Sequence, residues 1–394
     1  MRRDAALADG TDDRAVLSVL LVDPSLFTAP YDAALSGGLQ ANAVRPVWAT
    51  RALRPKEEDL LDATPTLPFF YPLTDGPRRR TSAGWRALKG LEHIVGLRRL
   101  EREADRFDLV HFQWAALPTF DVRAVRRIRR KRPVVLTVHD IEPFNGRPVS
   151  AAQRGGYDAV LMAFDRLIVH GEQGREALLA RGLPADRIHV VPHGVLPLRA
   201  AAPEARADDG RWRIVLFGRL QHYKGVDLLV EALGLIDPQT RARLEVIVAG
   251  EAQIAIEPIV ARARELALGA SLTVRAGRLS EDAMAGLLRS ADAFVFPYRT
   301  IDASGVLHLV AELGRWLIAS DIGAFRAMIG GAHGSGDLVP PTDVQALADA
   351  IVRSIGQHPQ TPPATGLPDW TQIGAMTRTV YQAALADRRA GSAS

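Results

Sequence analysis

Two short stretches carry residue types suited to holding and releasing an anion. The first is Phe217-Gly218-Arg219-Leu220-Gln221-His222-Tyr223-Lys224-Gly225. An apolar run, Ile214 to Phe217, enters it and reads as a buried strand, and a helix is expected from about Val226. Gly218 permits a tight turn, and Arg219 and Lys224 place two cations in that turn. The second stretch is a loop from Tyr298 to Asp302, after which Ser304-Gly305-Val306 opens an apolar helix. Helix starts and free backbone N–H groups attract anions, and a guanidinium fork matches phosphate oxygens. The expected ligand is a diphosphate whose growing negative charge the cations would neutralise as it leaves. Taken singly, such a stretch is more often a solvated strand-to-helix connection.

The elements around these stretches are those of a parallel α/β protein. Ile214–Phe217, Leu244–Ala249, Leu272–Ala276 and Ala293–Phe296 alternate with helical patterns over 226–236, 255–267 and 281–289. Trp316 to Ala319 reads as another strand and 343–355 as another helix. The first half opens with a strand, Ala15 to Val22, then Asp23-Pro24, a helix over 33–39 with Asp32 as N-cap, and a strand over 44–49. Residues 64–84, rich in Pro and aromatics and followed by Arg78, Arg79 and Arg80, match no regular element. Phe120 to Arg132 is an amphipathic helix with an arginine-covered face. Val134 to Val138 is a β-branched strand ending at His139, where a doubly wound sheet exposes groups to its ligand crevice. Leu196 to Gly210 reads as a linker.

Composition narrows the function classes. The 394 residues suit two domains, and with no cysteine there is neither a disulfide nor a thiolate metal site. No apolar run reaches the ~20 residues of a membrane-spanning helix, and residues 1–14 are charged, so a disordered lead and a cytoplasmic protein are expected. The net charge of +4 is uneven: residues 1–200 carry +6 and the remainder −2. Between Arg78 and Arg132 there are 16 basic and 6 acidic residues. Without a nucleic-acid motif, that excess points to an anionic membrane surface, met through residues 69–80 and 123–132, rather than to nucleic acid.

"GRLQHYKGVDLLVEAL" and "ASGVLHLVAELGRWLIASDIGAF" resemble the two signature regions of glycosyltransferase family 4, and "DLVHFQW", "TVHD", "VHGEQGREALLARG…RIHVVPHGV" and the tail "DWTQIGAMTRTVYQAAL" extend the likeness over most of the chain. The resemblance implies the GT-B architecture: two Rossmann-like, doubly wound parallel-sheet domains facing across a cleft. It implies an acceptor-side domain over 15–200, a nucleotide-sugar domain over 201–370, and a final helix, 371–394, crossing back. It further implies a retaining, metal-independent hexosyltransferase that moves a sugar from a nucleotide-diphosphate donor to a hydroxyl acceptor, lipid-linked or a glycan precursor, with no cofactor. On that pattern Arg219 and Lys224 hold the diphosphate with Gly218, Ser304, Gly305 and Val306, while His139 contacts the donor sugar. Tyr31 and Asp32 belong to the acceptor loop. The family's two glutamates fall at Ile301 and Leu309, so Asp302 and Glu312 are the neighbouring carboxylates that could replace them, near the sugar and the ribose respectively. The other readings are a catalytically silent binding or scaffold protein on this fold, and an epimerase or hydrolase of the nucleotide sugar.

Overall fold

The computed structural model describes residues 15–55, 57–75, 82–141, 156–196, 198, 200–300, 305–311, 313–330, 335–359 and 368–392. The first seven strands are β1 (Leu17–Val22), β2 (Val44–Arg51), β3 (Thr66–Phe70), β4 (Leu109–Phe112), β5 (Val134–Thr137), β6 (Arg166–Val169) and β7 (Ile188–Val190). They form one parallel sheet in the order β3-β2-β1-β4-β5-β6-β7. The next six are β8 (Trp212–Phe217), β9 (Leu244–Gly250), β10 (Leu272–Ala276), β11 (Ala293–Phe296), β12 (Trp316–Ser320) and β13 (Gly336–Val339). Their order is β10-β9-β8-β11-β12-β13, again parallel. Both orders reverse direction once, at β1/β4 and at β8/β11. In open parallel sheets ligands bind at the carboxyl ends of the strands beside such a reversal. By contacts the chain forms two compact units: Met1–Leu136 with Ala163–Arg166 and Thr371–Ser394, and Thr137–Met162 with Leu167–Trp370.

The six-stranded sheet shows why its strands read as continuous apolar runs. Ile214, Leu216, Val246, Val248, Val295 and Ile318 point to one face, where Val226, Leu229, Val230 and Leu233 of the helix Val226–Leu235 cover them together with the helix Val344–Arg353. Val215, Ile247, Ala249, Phe294, Phe296, Leu317 and Ala319 point to the other face, beneath the helices Glu281–Ser290, Gly305–Ala311 and Gly323–Gly330. Successive strand residues alternate between faces, and with helices on both sides each face must be apolar.

Two local expectations are corrected. The stretch 64–84 contains β3, paired with β2 at the sheet edge, where Pro68 is tolerated because no further strand needs its missing N–H. Phe70 and Tyr71 are consequently buried, and Tyr71 Oη and His93 Nδ1 lie 2.8 Å apart. The first helix is Ala29–Gln40, four residues longer at its start than expected, because Pro30 in its first turn is pre-set for helical geometry. Asp32 therefore lies inside the first turn, and Thr28 takes the N-cap position. The closing helix, Trp370–Ser392, is tied to the first unit: Arg378 donates to the carbonyl oxygens of Asn42 and, at 3.0 Å, of Ala15, and Tyr381 Oη is 2.8 Å from His111 Nδ1.

Candidate functional site

At the β8/β11 reversal the chain brings together Gly218, Arg219, Lys224, Tyr298 and Val306. Phe217 ends β8, and a single turn of 3-10 helix, His222–Lys224, returns the lysine towards the strand end. Gly225 then takes a left-handed conformation (φ 66°) in which a Cβ would stand 2.0 Å from the carbonyl oxygen of Pro297. Only glycine fits such a position. The loop after β11 closes over this turn. Arg299 N donates to the Tyr223 carbonyl at 2.7 Å, and its guanidinium grips Asp227 at 2.6 and 2.9 Å.

Lys224 is 4% exposed. Its Nζ donates to Tyr298 Oη at 2.7 Å and to the Phe217 carbonyl at 3.5 Å, both neutral acceptors. No carboxylate pairs with it among the described residues. Burial pushes its pKa down to about 7, and the neighbouring Arg219 charge adds to the shift. Arg219 itself is exposed and makes no ion pair among the described residues. Gly218 (φ 117°) leaves the space above the lysine open: a Cβ there would lie 2.9 Å from Lys224 Nζ and 3.0 Å from Val306 Cγ2. A side chain at position 218 would thus fill the space beside Lys224, and the Arg219 charge lies near enough to act on the lysine. An uncompensated buried charge is costly, and an anion beside Lys224 would offset that cost while also attracting the exposed Arg219.

His139 lies just beyond β5, His170 directly after β6 and His193 just after β7. Their rings run in series, with centroids 5.2 Å apart for each adjacent pair, close to the spacing of neighbouring strands. Asp32 is fully buried, and burial together with the Asp23 carboxylate holds its pKa well above the usual carboxylate range. Thr28 Oγ1 bonds to Asp32 Oδ1 at 3.2 Å, and the Thr28 N–H donates to Asp23 Oδ2 at 3.2 Å. Tyr31 is buried as well; Phe27 is the exposed side chain of that loop and packs on Trp114 at 5.7 Å. Asp302, Ser304 and Glu312 lie outside the described residues, as do Arg78, Arg79 and Arg80.

Residues 211–357 match the family described as "Glycosyl transferases group 1", and residues 33–197 match "Glycosyltransferase Family 4". The chain is a family 4-like glycosyltransferase. The likeness to curated proteins agrees: 29% identity over 182 residues to the lipopolysaccharide core biosynthesis mannosyltransferase LpsB of Rhizobium meliloti, covering 43% of this chain and 51% of that protein. The chain thus spans about half the length of that relative. D-inositol 3-phosphate glycosyltransferase 1 of Catenulispora acidiphila is 27% identical over 324 residues, 73% of this chain and 75% of the relative. Among solved structures, Anabaena HepE in complex with UDP-glucose superposes with a TM-score of 0.64 at 17% identity, covering 95% of this chain and all of that one. This last likeness shows the GT-B fold. Of the residues gathered at this candidate site, sequence spacing pointed to Gly218, Arg219, Lys224 and Val306, which the fold brings together. It missed Tyr298 as the partner of Lys224, and the paired role of His170, although the strand-end triplets Val169-His170-Gly171 and Pro192-His193-Gly194 echo Val138-His139-Asp140.

Proposed function

We propose that this glycosyltransferase moves a hexosyl group from a nucleoside-diphosphate sugar to an acceptor hydroxyl, with retention at the anomeric carbon and without a metal. The observation that carries this reading is the buried Lys224, partnered only by neutral acceptors among the described residues and set beside Arg219 over the open Gly218 turn. The bond from the anomeric carbon to the diphosphate oxygen breaks, and the leaving group takes the electron pair. The acceptor oxygen bonds to the anomeric carbon from the same side and passes its proton to a departing phosphate oxygen. Arg219 and Lys224 bind the diphosphate more strongly as its charge grows, which lowers the barrier. His139 contacts the sugar, and Gly305 and Val306, with Ser304, line the diphosphate. Asp302 would stand near the sugar and Glu312 near the ribose. Tyr31 and Asp32 act on the acceptor side by holding the loop that presents Phe27.

Thermal shift with UDP-glucose and GDP-mannose, each beside its free nucleoside diphosphate, tests donor binding. A ligand at a hundredfold its Kd adds about 2.7 kcal/mol of stability. Absence of any shift would remove the reading. Donor consumption that depends on acceptor and persists in chelator supports transfer. Consumption without acceptor favours a hydrolase or epimerase, and binding without turnover a silent scaffold.

The likeness to a lipopolysaccharide core mannosyltransferase supports a lipid-linked glycan acceptor, and the arginine-rich surface of this chain supports its being met at an anionic bilayer. No helix among the described residues is long and apolar enough to cross a membrane. With Phe70 and Tyr71 buried, the apolar contact passes to Leu73, 69% exposed, and to Leu91 and Val95 on the helix Ala83–Glu103. These residues are neighbours because the Leu73 N–H donates to Glu92 at 2.7 Å. On the helix Pro118–Arg129 and the turn after it, Arg127, Arg129 and Lys131 pair with Glu101, Asp165 and Asp105, while Arg123, Arg126 and Arg130 make no ion pair among the described residues. Flotation with anionic vesicles that weakens with salt is expected, and equal flotation with neutral vesicles contradicts it.

A further inference from the structure

We infer that His170 is a positioning residue that fixes the tautomer of His139, so that His139 offers an unprotonated Nε2 to a hydroxyl of the donor sugar. The chain of bonds has one direction. His170 Nδ1 lies 3.1 Å from the Val191 carbonyl oxygen, which can only accept, so Nδ1 carries the proton. His170 is neutral at physiological pH, since burial drives its pKa down to about 4. A neutral imidazole protonated at Nδ1 has a lone pair at Nε2. That lone pair is 3.3 Å from His139 Nδ1, which must therefore donate. In neutral His139 the remaining nitrogen, Nε2, is then the acceptor.

The backbone sets this relay. Val138 N donates to the Ile168 carbonyl at 2.8 Å and Val191 N to the Val169 carbonyl at 2.9 Å, continuing the ladders of β5, β6 and β7 past their ends. His139 follows Val138 and His170 follows Val169, so these two rings are held about one strand spacing apart. His193 closes the far side of His170: its Nδ1 donates to the Gly194 carbonyl at 2.7 Å, and its ring packs edge-on against His170. Trp370 in turn packs against His193 and donates to the Val195 carbonyl at 2.6 Å. The ring of His170 is held from both sides, as a group that must keep one orientation should be. The consequence is a specificity: the sugar must present an O–H donor to His139, because a tautomer fixed in this way accepts and does not donate at Nε2.

This inference rests on the proposed contact between His139 and the donor sugar, and the test separates the two. Long-range 1H–15N correlation of protein labelled in its histidines, with His139 assigned by its loss in His139→Gln, reports the tautomer without any ligand. The expected result is a proton on Nδ1 of His139, shifting to Nε2 or to a mixture in His170→Phe. A proton on Nε2 in the unaltered protein, or an unchanged His139 in His170→Phe, overturns the inference. The second arm measures affinity for whichever of UDP-glucose and GDP-mannose binds, and for its free diphosphate. His170→Phe should weaken the nucleotide sugar about fivefold, the scale of one hydrogen bond, and leave the free diphosphate unchanged. His170→Gln, which restores an acceptor towards His139, should recover part of the loss. Equal affinities in all three proteins overturn the positioning role even with the tautomer as expected. If His139→Gln itself binds the nucleotide sugar normally, the contact with the sugar is what fails.

Discussion

Strand β8 has a buried cation near each end, and the two are treated in opposite ways. Arg213, at the amino end, is 2% exposed by its side chain; its Nε lies 2.8 Å from Glu245 Oε2, and it donates to Ser290 Oγ at 2.7 Å. Lys224, folded back against the carboxyl end, has a phenol and a backbone carbonyl as its partners among the described residues. Both are withdrawn from water, so the desolvation cost is common to them. The difference lies in the counter-charge, internal for Arg213 and absent among the described residues for Lys224. A protein that can complete one buried ion pair on a strand can complete another. We read the open one as the place of a ligand. In parallel α/β sheets the carboxyl end is where ligands bind.

The comparison breaks if the two cations prove interchangeable in what they affect. Arg213→Ala leaves Glu245 without its partner and should lower stability by about 3 kcal/mol, read from urea unfolding, with donor affinity of the folded protein unchanged. Lys224→Ala and Arg219→Ala should do the reverse, lowering kcat/KM about a hundredfold or more while the fold persists. Arg219→Lys should recover only part of that loss, since an ammonium lacks the fork.

That division of labour was only partly visible beforehand. The alternation of β8 to β12 with helices was legible because both faces of the sheet are covered, which makes each strand a plain apolar run. Gly218, Arg219 and Lys224 were legible because one turn holds them all. Tyr298 was not, since it reaches Lys224 only because β11 lies beside β8, an adjacency made by the sheet order and not by spacing. The pairing of Arg213 with Glu245 depends likewise on β8 lying against β9, and His170 meets His139 only through the adjacency of β5 and β6. Residues 64–84 matched no regular element because their prolines, Pro68 among them, argue against a strand. The sheet edge removes that objection.

Smaller effects sharpen the contrast. The pKa of Lys224 stands near 7 without ligand and should rise once a diphosphate adjoins it, so binding takes up a proton above pH 7. Apparent donor affinity should fall as pH rises from 7 to 9, by up to ~tenfold per unit, and the dependence should flatten in Lys224→Met. Stability carries the opposite sign. The lysine's folded pKa lies below its unfolded value of 10.5, so the unfolded chain binds more protons between those values. Stability should therefore rise with pH from about 7 towards 10, and less so in Lys224→Met. Calorimetric titration and melting across pH check the two signs. Tyr298→Phe, which removes one acceptor from the ammonium, should weaken donor binding by about 1 kcal/mol.

The central claim is that Arg219 and Lys224, which make no ion pair among the described residues at the carboxyl end of β8, are completed by the donor's diphosphate. Melting of the unaltered protein and of Lys224→Met, each with and without the nucleoside diphosphate of the active donor, tests it most directly. The account predicts that Lys224→Met without ligand is at least as stable as the unaltered protein, because a desolvated charge is gone, and that ligand raises the melting temperature of the unaltered protein alone. A variant that is destabilised without ligand yet stabilised by the diphosphate as strongly as the unaltered protein would contradict it.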